Sequence, residues 1–278
     1  MSMVHPQSAQ GPPGALAFLD EWRRRQSTLA AFALLMVIAM APTLVAMAFD
    51  ARTFNGINVW MKPFKFELST AVHMATLALF WPYLDARFRS RRSLRAGAWA
   101  IGIIFALEVA YIAYRASLAE ASHFNNSTPA AALLYAAMGI GIMTTIVIST
   151  WIGILVLRSR EGGTSSTLRF AIGIGLVAGS VLGAITGGYM SAQLGHWVGG
   201  VATDAGGVPL FGWSRAGGDL RVAHFVGLHA MQGIPVIGLL VQRLVAGRAI
   251  VWASLVVWIA VTAAVFVQAM QGWAILPL

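Results

Sequence analysis

Seven runs of about twenty apolar residues, parted by short polar segments in which arginine collects, constrain this chain most strongly. They lie at 28–49, 63–82, 96–117, 131–157, 169–190, 221–243 and 249–271. A helix needs roughly 20 residues to cross the hydrocarbon of a bilayer, where the backbone must satisfy its own polar groups. The reading is an all-α polytopic integral membrane protein, a bundle of seven transmembrane helices. Composition agrees. Of 278 residues, 58% are hydrophobic and 10% are charged, against about 25% charged in soluble domains. The formal charge of +9 does not imply nucleic acid, because the cations sit between apolar runs. The absence of cysteine excludes disulfides, thiolate metal sites, cysteine-ligated iron–sulfur clusters and a cysteine nucleophile.

Orientation follows from arginine and lysine. With the N-terminus in the cytoplasm, inner segments hold thirteen of the nineteen cations, including the cluster from Arg87 to Arg95. The outer ends hold Arg52, Lys62, Lys65, Arg115, Arg215 and Arg221. The N-terminus is therefore expected inside and the C-terminus outside, in a multi-pass protein of the plasma membrane, of the bacterial inner-membrane kind. Residues 1–27 read as a disordered cytoplasmic tail ending in the basic anchor Arg23 to Arg25, and 28–278 as one transmembrane domain. That arginine triplet, the apolar run and the string VAMA (Val45 to Ala48) imitate a signal peptide. The run is long for one, and Pro42 is tolerated in membrane helices, so it is read as an uncleaved first helix.

Ionisable residues within spans are costly, and each marks a candidate site. At ~1.5 Å per residue, His73 lies roughly 16 Å in from Lys62, Glu108 about 14 Å below the outer end of the third span, and His229 about 12 Å below that of the sixth. Three residues on three helices thus share a layer in the outer half. At ~100° per residue, Lys62, Ser69 and His73 share one face, and Glu108, Tyr111 and Arg115 form a stripe. His229 and Gln232 are neighbours, whereas His224 is turned about 140° from His229. Gly175, Gly179, Gly183 and Gly187 recur every fourth residue, a pattern for close helix packing or for a groove admitting a flat cofactor. Asn55-Gly56 signals a turn. Trp60, Trp197 and Trp213 read as interfacial, and ASHFNNST (Ala121 to Thr128) places His123 at the outer rim beside a weak glycosylation sequon.

Three chemistries fit. The first is redox work on haem b or a divalent metal. His73 and His229, or those two with His224 and Glu108, would be ligands; Gly175, Gly179 and Gly183 would give room, and Lys62 and Arg115 would pair with propionates. An electron-transfer partner or a small ligand would then arrive from the outer face. The second is an ion- or proton-coupled transporter or channel, with Glu108, His73 and His229 as a relay. The third rests on a likeness. Ser69-x-x-x-His73 followed by a later histidine pair is faintly similar to the alkaline ceramidase and adiponectin-receptor group. That resemblance implies zinc held by His73 and the later pair, with Ser69 positioning water for lipid hydrolysis. This chain departs from the group in having His-x-x-x-x-His, on the sixth helix rather than the seventh, with the opposite orientation. Retinal chemistry is excluded, since the seventh run has no lysine for a Schiff base. No phosphate-binding glycine loop, HExxH motif or dinucleotide fingerprint occurs.

Overall fold

A computed structural model describes residues 26–161 and 165–277; nearly all of the expected tail, 1–27, lies outside them. Helices stand at all seven expected places. They are α1 Ser27–Phe49, α2 Met61–Phe80, α3 Arg92–Ser117, α4 Pro129–Arg158, α5 Ser166–Ala192, the bent pair α6 Leu220–Leu228 and α7 Ala230–Val241, and α8 Gly247–Met270. Five of these (α1, α3, α4, α5 and α8) are long and apolar enough to cross a membrane, and α6 with α7 makes a sixth if the pair is one span. The remaining run, α2, is helical but too polar to count among them, because it carries Lys62, Lys65, Glu67 and His73. Apolar side chains such as Ile38, Leu133, Ile140, Val147 and Val256 face outward, as a lipid-facing surface requires.

The connections show their chemistry. Asn55 and Gly56 take φ of 51° and 83°, and this turn joins β1 Thr53–Phe54 to β2 Ile57–Asn58 in a tight hairpin. Trp60, expected as an interface anchor, donates its indole N–H to Asp50 Oδ2 at 2.8 Å. Thr128 accepts the amide of Ala131 and Pro129 opens α4, so the helix begins with a cap and a pre-set φ. The long loop after α5 returns through β3 Trp197–Val198 paired with β4 Gly218–Asp219.

One apolar core joins α1 to α5, centred on Leu29, Met74, Leu77, Ile101, Ile152 and Leu176, and a second joins α5, α7 and α8. In α1, Leu29, Ala30, Ala33 and Met36 are buried and Thr43 bonds to α2, so the run that imitates a leader is packed into the bundle. The glycine stripe of α5 meets the bent pair. A Cβ on Gly179 would lie 2.7 Å from the Leu228 carbonyl oxygen and 2.8 Å from the Met231 amide. Gly175 faces Pro235 and the Ala230 carbonyl, and Gly183 faces the Leu228 side chain. This is the packing use of the motif, with protein filling the groove where a flat cofactor was the other expectation.

The bend of 41° falls at His229. The Trp258 indole donates to the Val226 carbonyl at 2.7 Å there, and Pro235, further along α7, brings no amide to the ladder. A broken membrane helix persists only where such substitutes exist.

Candidate functional site

The three histidines expected to act together are each engaged by a different neighbour. His73 Nε2 lies 3.0 Å from Ser149 Oγ on α4, and its ring stands edge-on to Phe105 of α3. His224 Nδ1 lies 3.0 Å from Thr186 Oγ1 on α5, against Gly187. His229 Nδ1 donates to Gln232 Oε1 at 3.1 Å, and Gln232 donates onward to Thr76 Oγ1 at 2.9 Å. Among the described residues, no three histidine or carboxylate side chains gather closely enough to hold a metal ion. Ser69 is exposed and donates to the Phe66 carbonyl of its own helix, without joining His73. Aromatic rings cover His229 instead: Phe225 at 4.1 Å between centroids, with Trp213 and Phe211 stacked beyond it.

The charged groups expected in the outer half do converge. The described residues contain eight carboxylates, and Glu108 alone has both oxygens buried without a hydrogen bond. Its side chain is 3% exposed, and His123 Nε2 is 3.5 Å from Oε1. Tyr111, one turn further along α3, also keeps its buried hydroxyl unpartnered. Lys62 lies over the Phe66 ring at 5.9 Å, near enough for its charge to act on both Glu108 and His123. Glu67 differs, because Thr43 donates to it at 2.6 Å and leaves one oxygen free.

Arg115 builds the loop that brings His123 home. It donates to the Ala121 carbonyl at 3.1 Å and pairs with Glu120 at 2.7 Å, two contacts that both shape the loop. Asn125 also donates to Ala121 O, and Ala119 and Phe124 adopt left-handed φ of 54° and 55°. Such angles are disfavoured for residues with a Cβ and turn the chain sharply at both ends of the segment that Arg115 and Asn125 hold. The loop folds back until the His123 ring rests 5.2 Å from Phe66 and 6.1 Å from Tyr135. Burial, with repulsion from Lys62, holds the imidazole well below the usual histidine range, so it is neutral near pH 7.

A second network clasps the long loop between α5 and α6. Arg221 pairs with Asp219 at 2.6 Å and Asp204 at 2.7 Å and donates to the Gly212 carbonyl. Lys65 donates to the neighbouring Phe211 carbonyl at 3.1 Å. His196 approaches Asp204 at 3.6 Å and stacks on Trp197. Burial keeps the His196 imidazole below its usual range. Burial opposes ionisation of Asp204, yet the adjacent His196 and the Arg221 guanidinium hold it below the usual carboxylate range. Sequence reasoning had put Arg221 at the outer boundary but had no signal for its two partners.

No protein-family model matches the chain, and neither a curated protein nor a solved structure does.

Proposed function

We propose that this is an ion- or proton-coupled transport protein of the plasma membrane, spanning it seven times, in which Glu108 exchanges a proton with the outer face. The span count adds α2 to the apolar helices. Its 20 residues reach ~30 Å, and it packs between α1 and α3, which shield its polar side. The arginine distribution supports an inner N-terminus.

The observation that carries the reading is Glu108, a buried carboxyl whose two oxygens accept no hydrogen bond. An ionised carboxylate taken out of water without partners costs several kcal/mol. A bound proton neutralises it directly, whereas the Lys62 charge acts on it only from beyond hydrogen-bond range. His123 stands between Glu108 and the loop surface with its side chain 19% exposed. Its ring can pass the Nε2 proton to Glu108 Oε1 while, in the same concerted step, Nδ1 takes the Ser122 Oγ proton, 3.2 Å away, and that hydroxyl is reprotonated from the outer medium. The ring ends neutral in its other tautomer. Deeper in, Phe105 lies one turn below Glu108 and touches His73, which continues the polar line toward mid-membrane.

The test is proton entry into proteoliposomes that trap a pH-sensitive dye. After the outer medium is acidified, the wild type acidifies the lumen, and Glu108→Gln slows this at least ~10-fold, the scale of a lost general acid–base group. Equal rates would contradict the assignment. So would a Soret band in the purified protein that disappears in His73→Ala, which would restore haem.

A further inference from the structure

The end of the bundle opposite Glu108 carries a feature that transport by that site leaves unused. Arg87, Phe88, Leu157, Arg158 and Arg160 line a cavity of about 700 Å³. It forms where the single helical turn Ala86–Arg89, following α2, meets the chain leaving α4. Three arginines border one space, and their combined positive charge attracts an anion there.

The surrounding carboxylates are already spent. Asp85 is buried, and its Oδ1 accepts the amides of Arg160 and Glu161 at 2.8 Å each. Its amide in turn donates to Ser159 Oγ at 2.9 Å. Glu161 accepts the Ala86 amide at 2.7 Å. Buried Arg169 donates to the carbonyls of Ser159 and Glu161 from below. These bonds staple the two segments together and fix the backbone that bears the three arginines. Arg87 retains a single 3.3 Å contact with Asp85 Oδ2 and lies over the Phe88 ring. Among the described residues, the side chains of Arg158 and Arg160 have no carboxylate partner.

We propose that this cavity binds the phosphate headgroup of an anionic phospholipid. A lipid is favoured over a soluble phosphate by what adjoins the arginines. Leu157 is exposed beside them, and α4 continues from it with Val147, Met143, Ile140 and Leu133 also exposed. That surface accepts acyl chains while the guanidiniums hold the headgroup, as basic pockets at the ends of membrane helices do.

Native mass spectrometry of protein purified from mixed micelles tests this, with phosphatidylglycerol and phosphatidylcholine as probes. The wild type retains phosphatidylglycerol preferentially. The triple variant Arg87→Gln, Arg158→Gln, Arg160→Gln loses that retention at least ~5-fold, as expected when charge-assisted bonds to phosphate are removed. A control, Arg52→Gln with Arg215→Gln at the other end, keeps it. Arg158 and Arg160 are exposed and Arg87 is 62% exposed, so the triple variant keeps the wild-type melting temperature. Equal retention in the triple variant and wild type would overturn the proposal, as would equal loss in the control. Full displacement of the lipid by millimolar inorganic phosphate would also overturn it, by showing a site for free phosphate.

Discussion

Single residues divide into those that hold the molecule and those left with unfinished chemistry. Arg221 belongs to the first group. Arg221→Ala leaves Asp219 and Asp204 buried beside each other without their cation, and breaking a pair of this kind costs about 3 kcal/mol. Thermal melting in detergent checks it, and an unchanged melting temperature would show that water compensates. His123 and His196 give the fold a pH dependence. Their folded-state pKa values lie below the unfolded value of ~6.5, so the unfolded chain takes up protons first as pH falls. Their contribution is complete above pH ~6.5 and is lost as the pH falls from there through their folded-state values. Asp204, also depressed, adds a further loss below pH ~4. Melting temperature is therefore expected to fall from neutral pH downward, less steeply in His196→Gln; a rise on acidification would contradict this. Sequence alone picks out Glu108, because a charge inside an apolar run is conspicuous. It does not pair Glu108 with His123, fifteen positions later, since that contact depends on Arg115 folding the intervening loop.

At the scale of elements, the regular spacing of α5 glycines has a geometric cause. The bent pair α6–α7 brings backbone atoms against them, with Gly179 facing both sides of the break. Gly179→Val forces the helices apart and is expected to cost about 1–3 kcal/mol, as overpacking does; a melt matching the wild type would show that the break can shift. Trp258→Phe keeps an aromatic ring but removes the indole N–H and leaves the Val226 carbonyl unpaired, a loss of about 1–3 kcal/mol. Period and length are enough to place the helices, and angular reckoning separates His224 from His229. The same reckoning fails for Ser69. It shares an angular face with His73 yet stays exposed, because spacing along one helix says nothing about where its neighbours end. The break at His229 is hidden for a related reason. Only Pro235 hints at it, and the substitute donor comes from Trp258 on another helix.

For the whole molecule, apolar surface makes the bilayer the environment, and the two ends of the bundle differ in chemistry. One end holds Glu108, His123 and the Arg221 clasp; the other holds the arginine cavity. The chain has no native cysteine, so single substitutions can report which side each end faces. Ser90→Cys and Ser127→Cys, at opposite ends of α3 and its flanking loop, should be labelled by an impermeant thiol reagent from opposite sides, with Ser127→Cys reached from outside. Labelling of both from one side would refute the topology. Seven runs and their arginines suggest this arrangement from sequence, while α2 is obscured by the charges that serve the site. The central claim is that Glu108 exchanges a proton with the outer face. Infrared difference spectra of the protein in oriented proteoliposomes, recorded as the outer pH is stepped, test it most directly. The account predicts a protonated-carboxyl band that changes with the outer pH and is missing in Glu108→Gln; a spectrum identical in the two proteins would contradict it.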